Sequence, residues 1–141
     1  MYNMTMKQKG FTLTETLIIG AIIALLAAIG VGLLSIERAR IRDAKRITDM
    51  THFAAAFAIL YAQKASYASA AVGCPQRGSL ADTCTLPTVT GFANNLKDPS
   101  KYSYRVTRVP DAEDFGISFR LERSYGTLTA GPHTLSKQGL R

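Results

Sequence analysis

The chain has no charged residue between Thr16 and Leu34, 19 consecutive positions that are nearly all Leu, Ile, Val, Ala or Gly. That gap excludes a uniform globular sequence: the apolar residues behind the 47% hydrophobic content are concentrated in the first quarter, and the remainder has ordinary globular composition. At about 1.5 Å per residue, the run approaches the thickness of a bilayer core. No small-residue cleavage site closes it, and it continues into charged, helix-compatible sequence, so a conventional secretory signal peptide is the weaker reading. Neither Pro nor Gly occurs from Ile36 to Lys64, which removes the usual reasons for a helix to end there. Other absences concern chemistry. There is no nucleophile motif, phosphate-binding glycine loop or paired-carboxylate signature, so neither an enzyme nor a cofactor is assigned. The only histidines, His52 and His133, have no metal-ligand spacing with the two cysteines, and no metal is assigned.

What is present is an anchor followed by a head. Of the 141 residues, about 100 remain for water-soluble structure, enough for one small domain. Lys and Arg number 17 against 10 Asp and Glu, a net charge of +7 that falls to +5 if Lys7 and Lys9 are removed. Such an excess supports solubility and weak attraction to anionic surfaces, DNA included, but no Arg/Lys cluster interleaved with aromatics singles out a nucleic-acid site. Cys74 and Cys84 lie ten positions apart in GCPQRGSLADTC, which reads as loop. In an oxidising compartment a disulfide there would be worth about 2.5 to 3 kcal/mol by chain entropy. Two free thiols are the alternative, and a metal site is the least supported. Asp111, Glu113 and Asp114 offer the clustered oxygens that calcium favours, yet an acidic turn after Pro110 explains them more simply.

The apolar run opens with Lys9-Gly10-Phe11-Thr12-Leu13-Thr14-Glu15, and Glu15 is its lone carboxylate. A single chain in lipid leaves that carboxylate with a penalty of a few kcal/mol. The short basic leader, the Gly10–Phe11 junction, Glu15 four residues past Phe11 and the long apolar run together, over residues 7 to 35, resemble the class III signal of type IV prepilins and type II secretion pseudopilins. The resemblance implies cleavage between Gly10 and Phe11 by a prepilin peptidase on the cytoplasmic side, followed by N-methylation of Phe11. The new amine would stand one helical turn from Glu15 on the same face. In a homo-oligomeric helical filament with an axial stagger, the amine of one subunit would meet Glu15 of a neighbour, and burial would favour the register that pairs them. The plain alternative is an interfacial glutamate that snorkels to headgroups or is protonated.

Beyond the anchor, Ala44, Ile47, Met50, Ala54, Phe57 and Tyr61 recur at spacings of three and four, broadened by Phe53 and Leu60. Arg38, Arg42, Lys45 and Asp49 are placed largely away from that stripe. A connecting region rich in Ser, Ala, Gly and Pro follows from Ala65 to Ser100. Strands are expected within Tyr102–Val109, Phe115–Glu122 and Thr127–Gln138, the last broken or bent near Gly131-Pro132. The fold class is therefore α+β: one long N-terminal helix whose C-terminal half packs against a small antiparallel sheet of three or four strands, as pilin heads do. The segments are a leader (1–10), a transmembrane and assembly helix (11–35), its amphipathic continuation (36–64), a connecting loop (65–100) and the sheet (101–141). Gly30 and Gly32 are the points where the helix is expected to melt in a filament, unless they serve close helix packing in lipid.

The resemblance implies a structural subunit, held in the cytoplasmic membrane with its head outside the cytoplasm and then extracted by assembly machinery with an ATPase. The product would be an extracellular pilus for adhesion, motility or DNA uptake, with DNA or surface contact the weakest of the partner expectations. A secretion pseudopilin is the alternative within the family, and a monomeric membrane-anchored binding domain the alternative outside it. One count points the other way. Arg38, Arg40, Arg42, Lys45 and Arg46 follow the apolar run while only Lys7 and Lys9 precede it, so the positive-inside rule alone would put the head in the cytoplasm.

Overall fold

The computed structural model describes residues 10–87 and 96–141. Residues 1–9, which hold Lys7, Lys9 and all but Gly10 of the expected leader, and residues 88–95 of the expected connecting loop lie outside the described residues. A single helix, α1, runs Leu13–Lys64 over 52 residues. It passes Gly20, Gly30 and Gly32 without interruption, although each glycine costs up to about 1 kcal/mol relative to alanine. It ends at Ala65, the one described non-glycine residue with a positive φ, 51°, whose N–H bonds the Tyr61 carbonyl at 2.7 Å. A left-handed residue at this position terminates a helix, and glycine adopts it at least cost.

The chain divides into two compact units, residues 1–37 and 38–141. Among the described residues of the first unit none is buried. Its part of α1 is long and apolar enough to cross a membrane.

In the second unit, four strands form an antiparallel sheet in sequence order: β1 (Arg105–Arg108), β2 (Gly116–Leu121), β3 (Gly131–Ser136) and β4 (Gly139–Leu140). The expected α+β architecture is what the chain adopts, with the upper strand count. Alternation in β2 turns Ile117, Phe119 and Leu121 inward and leaves Ser118 and Arg120 facing outward. The inward residues join Leu135 of β3 and Met50, Phe53, Phe57 and Leu60 of α1 in one core. Phe57 stacks on Phe115 with ring centres 3.8 Å apart. Burial of each such side chain contributes about 1.5–3 kcal/mol. Gly131-Pro132 does not break the third strand; it begins it, with Pro132 opposite Arg120 and Gly131 opposite Leu121.

The connecting region is more ordered than a loop. It contains two short 3-10 helices, Ala68–Val72 and Ala81–Thr83, and the disulfide between Cys74 and Cys84. Gly73 lies so close to the Thr83 carbonyl that an added Cβ would stand 1.8 Å from its oxygen, so the crosslinked turn requires glycine there. This turn covers the outer edge of β1: the N–H of Gly78 bonds the Val106 carbonyl, Val106 returns a bond to Ser79, and Ala81 bonds the Tyr104 carbonyl. An exposed strand edge is thereby paired. The stretch Tyr102–Val109 contributes fewer strand residues than expected because its register slips between Val106 and Arg108.

Candidate functional site

At the start of α1, Phe11 is 76% exposed and Glu15 has a local partner. Its Oε2 accepts hydrogen bonds from the Thr12 backbone N–H and hydroxyl, both at 3.1 Å. In return, the Glu15 N–H donates to Thr12 Oγ1 at 3.3 Å. This reciprocal arrangement is a capping box, which satisfies two helix-start donors that otherwise have no partner. The carboxylate also sits at the positive end of the helix dipole. The spacing Thr12-Leu13-Thr14-Glu15 is itself the sequence signature of such a cap. Cleavage between Gly10 and Phe11 would leave the Thr12 N–H, and so the cap, in place.

Gly20, Gly30 and Gly32 have nothing within 4 Å of where a Cβ would stand. No described part of the chain makes use of their small size. Leu17, Ile22, Leu25, Ile29 and Leu33 are likewise more than half exposed, so this helical surface has no partner among the described residues of its own unit.

In the second unit, the charges on α1 are arranged differently from the sequence reading. Asp49, placed away from the apolar stripe, is buried, as are Asp43 and Arg46, whereas Tyr61 of the stripe is 45% exposed. Positions 43, 46, 49, 53, 57 and 60 follow one helical face, and its first turns are ionic because polar partners from the head meet them. All five N–H groups of Arg46 are used. Nε and Nη2 hold both oxygens of Asp98 at 2.7 and 2.9 Å, Nη1 reaches Asp43 at 2.6 Å and Glu122 at 2.9 Å, and Nη2 also meets Ser100 Oγ at 2.7 Å. Asp43 in turn accepts the backbone N–H groups of Glu122 and Arg123 at 3.0 and 2.8 Å. Arg42 grips Glu122 through two further bonds.

Burial opposes the charge on Arg46, but hydrogen bonds to Asp98, Asp43 and Glu122 more than offset it and raise its pKa. For Asp98 burial again opposes ionisation, and the bonds from Arg46 and Ser100 hold its pKa below the usual carboxylate range. Glu122 is lowered to about 2, mainly by its hydrogen bond from Arg42. One helical turn further, Tyr104 donates to Asp49 at 2.8 Å, and Lys45 binds the same carboxylate at 2.9 Å. Burial and this bond push the Tyr104 phenol up. A hub of this kind positions chain segments and offers no vacant reactive group.

The acidic turn is occupied by its own chain. Asp111 accepts the N–H groups of Glu113 and Asp114, and Arg108 binds both Asp111 and Asp114. No cluster of metal-ligating side chains occurs among the described residues. His133 donates to the Thr129 carbonyl at 2.7 Å, and His52 lies on an exposed turn of α1. Comparison of the chain with protein-family models, curated proteins and solved structures returns no match. The residues that sequence reasoning missed are thus Thr12 as the cap partner of Glu15, the ionic hub around Arg46, and a group of cations around Tyr102 described below.

Proposed function

We propose that the chain is a structural subunit of a type IV pilus or pilus-like filament, made as a prepilin and cut between Gly10 and Phe11 by a prepilin peptidase. Phe11 then carries an N-methylated amine, and Glu15 receives the corresponding amine of a neighbouring copy. The observation that most supports this is the first unit's surface: a membrane-length apolar helix with no buried residue, preceded by Gly10–Phe11 and marked by one carboxylate. Apolar surface on that scale needs an outside partner. Lipid supplies it before assembly, and the helices of other copies supply it afterwards. Open space at Gly20, Gly30 and Gly32 suits close approach of such helices.

The head is placed outside the cytoplasm, which an oxidised Cys74–Cys84 pair favours. The basic residues after the apolar run argue against this less than their number suggests. Arg42, Lys45 and Arg46 belong to the ion pairs that fold the head, and folded domains translocate largely regardless of charge.

A second reading, a monomeric membrane-anchored binding domain, is favoured by one observation. The capping box already gives Glu15 a role within its own chain. Two substitutions separate the readings. Glu15→Gln keeps the cap, since glutamine serves at this position, and removes only the charge. The filament reading expects Glu15→Gln and Glu15→Ala to be equally defective in assembly, scored as sheared filament per cell. Normal assembly by Glu15→Gln would reduce Glu15 to a capping residue.

A further inference from the structure

Several cations of the second unit are committed to ion pairs. Arg42, Lys45, Arg46 and Arg108 each pair with a carboxylate. Lys101, Arg105 and Arg120 pair with none among the described residues, and the fold brings them together. Arg105 stands opposite Ser118 across β1 and β2, and Arg120 follows two positions along β2 on the same outward face. Such diagonal positions are about 7–8 Å apart. With Lys101 they line a groove of about 350 Å³ whose lining contains no Asp or Glu. At its rim lies Tyr102, 37% exposed, with the Arg46, Arg120 and Lys101 cations 5.6, 5.8 and 5.9 Å from its ring centre. One Arg105 N–H is spent on the Gly78 carbonyl at 2.7 Å, which steadies its guanidinium and leaves other donors available.

Three cations held together without a counter-carboxylate repel one another, and a multivalent anion relieves that repulsion. We propose that this groove binds the phosphodiester backbone of a nucleic-acid strand, with Lys101, Arg105 and Arg120 taking phosphates beside Tyr102. Two of the three cations are guanidinium forks, whose donors match phosphate oxygens two at a time. The exposed part of the Tyr102 ring stands beside these forks, and aromatic surface next to backbone-binding cations is the arrangement of single-strand binding sites. An anionic polysaccharide would satisfy the charges but has no base to stack. No basic cluster with interleaved aromatics is visible in the linear order, because Arg120 comes from β2 while Lys101 and Tyr102 precede β1 and Arg105 begins it. The site needs only residues of the second unit, so it stands or falls independently of the filament reading.

The test is a titration of the full-length chain, in neutral detergent micelles, against a fluorescent oligothymidylate at several salt concentrations. Lys101→Gln/Arg120→Gln is expected to weaken binding about tenfold or more. It should also flatten the log–log salt dependence by about 1.4, at about 0.7 per phosphate contact for single strands. Lys64→Gln/Lys137→Gln removes the same charge from exposed positions outside the groove and should bind as the parent does. Equal weakening by the two pairs would reduce the effect to net charge and overturn the site. So would a parent protein that binds a sulfated oligosaccharide but no oligothymidylate, or that binds neither.

Discussion

Two stretches of α1 treat charge in opposite ways. Before Glu37, the described helix has one carboxylate at its start, no buried residue, and, among the described residues, hydrogen bonds to that carboxylate from Thr12. From Arg38 onward the same helix buries Asp43, Arg46 and Asp49 beside Met50, Phe53 and Phe57. The difference lies in what surrounds each stretch. A buried ion is tolerable where neighbours are fixed in place to satisfy it, as Asp98, Glu122 and Ser100 do for Arg46. An apolar surface without such neighbours has to be completed from outside. Among the described residues, the second stretch is completed within its own unit and the first is not.

The sharpest way to break this contrast is to remove a member of the hub. Arg46→Ala leaves Asp43 and Asp98 buried without their cation and is expected to cost the head about 3–5 kcal/mol. For a head of this size that is roughly 15–30 °C in Tm, read by thermal melting in micelles. A melt unchanged by Arg46→Ala would mean that the hub contributes nothing. Phe57→Ala should cost a similar amount, about 3–5 kcal/mol. The matching truncation Ile23→Ala, on the exposed stretch, should leave the same melt where it was.

Next in size is the crosslink. Cys74→Ser/Cys84→Ser is expected to lower head stability by about 3 kcal/mol, measured by urea denaturation, and to loosen amide-exchange protection at Val106, which the crosslinked turn pairs. Acid should act through the hub. Glu122, at about 2 against an ordinary 4.5, and Asp98, also lowered, stabilise the folded head fully above their unfolded values. That contribution is lost as pH falls from about 4.5 toward 2. Stability measured from pH 6 to pH 2 should therefore fall in that window, and Glu122→Gln should flatten part of the decline. The smallest effect is expected at Arg108, whose pair with Asp111 is about half exposed on both sides. Arg108→Gln should change stability by less than about 1 kcal/mol, and a larger loss would show that surface pairs matter here as much as buried ones.

The long helix, its end at Lys64 and the alternating β2 strand were legible because periodicity and the absence of Pro and Gly state them directly. The cysteine pair was legible from spacing and loop composition. The hub was not. Asp43, Arg46 and Asp49 continue the spacing of Met50, Phe53 and Phe57, but a charge on a helical face reads as solvated until distant Asp98 and Glu122 are seen to meet it. Glu15 stands out in the sequence as the lone carboxylate of the apolar run, and its partner Thr12 lies three residues away. Strand pairing sets Arg105 opposite Ser118 and so brings Arg120 to its diagonal, a neighbourhood that a linear reading does not supply.

The most direct measurement is N-terminal mass spectrometry of the protein taken from its native membrane. A mature chain beginning with N-methylated Phe11 is the predicted result, because only cleavage at Gly10 creates the amine that a neighbour's Glu15 would meet. A functional protein that still carries Lys7 to Gly10 would contradict the account and leave a capped, membrane-anchored head in its place.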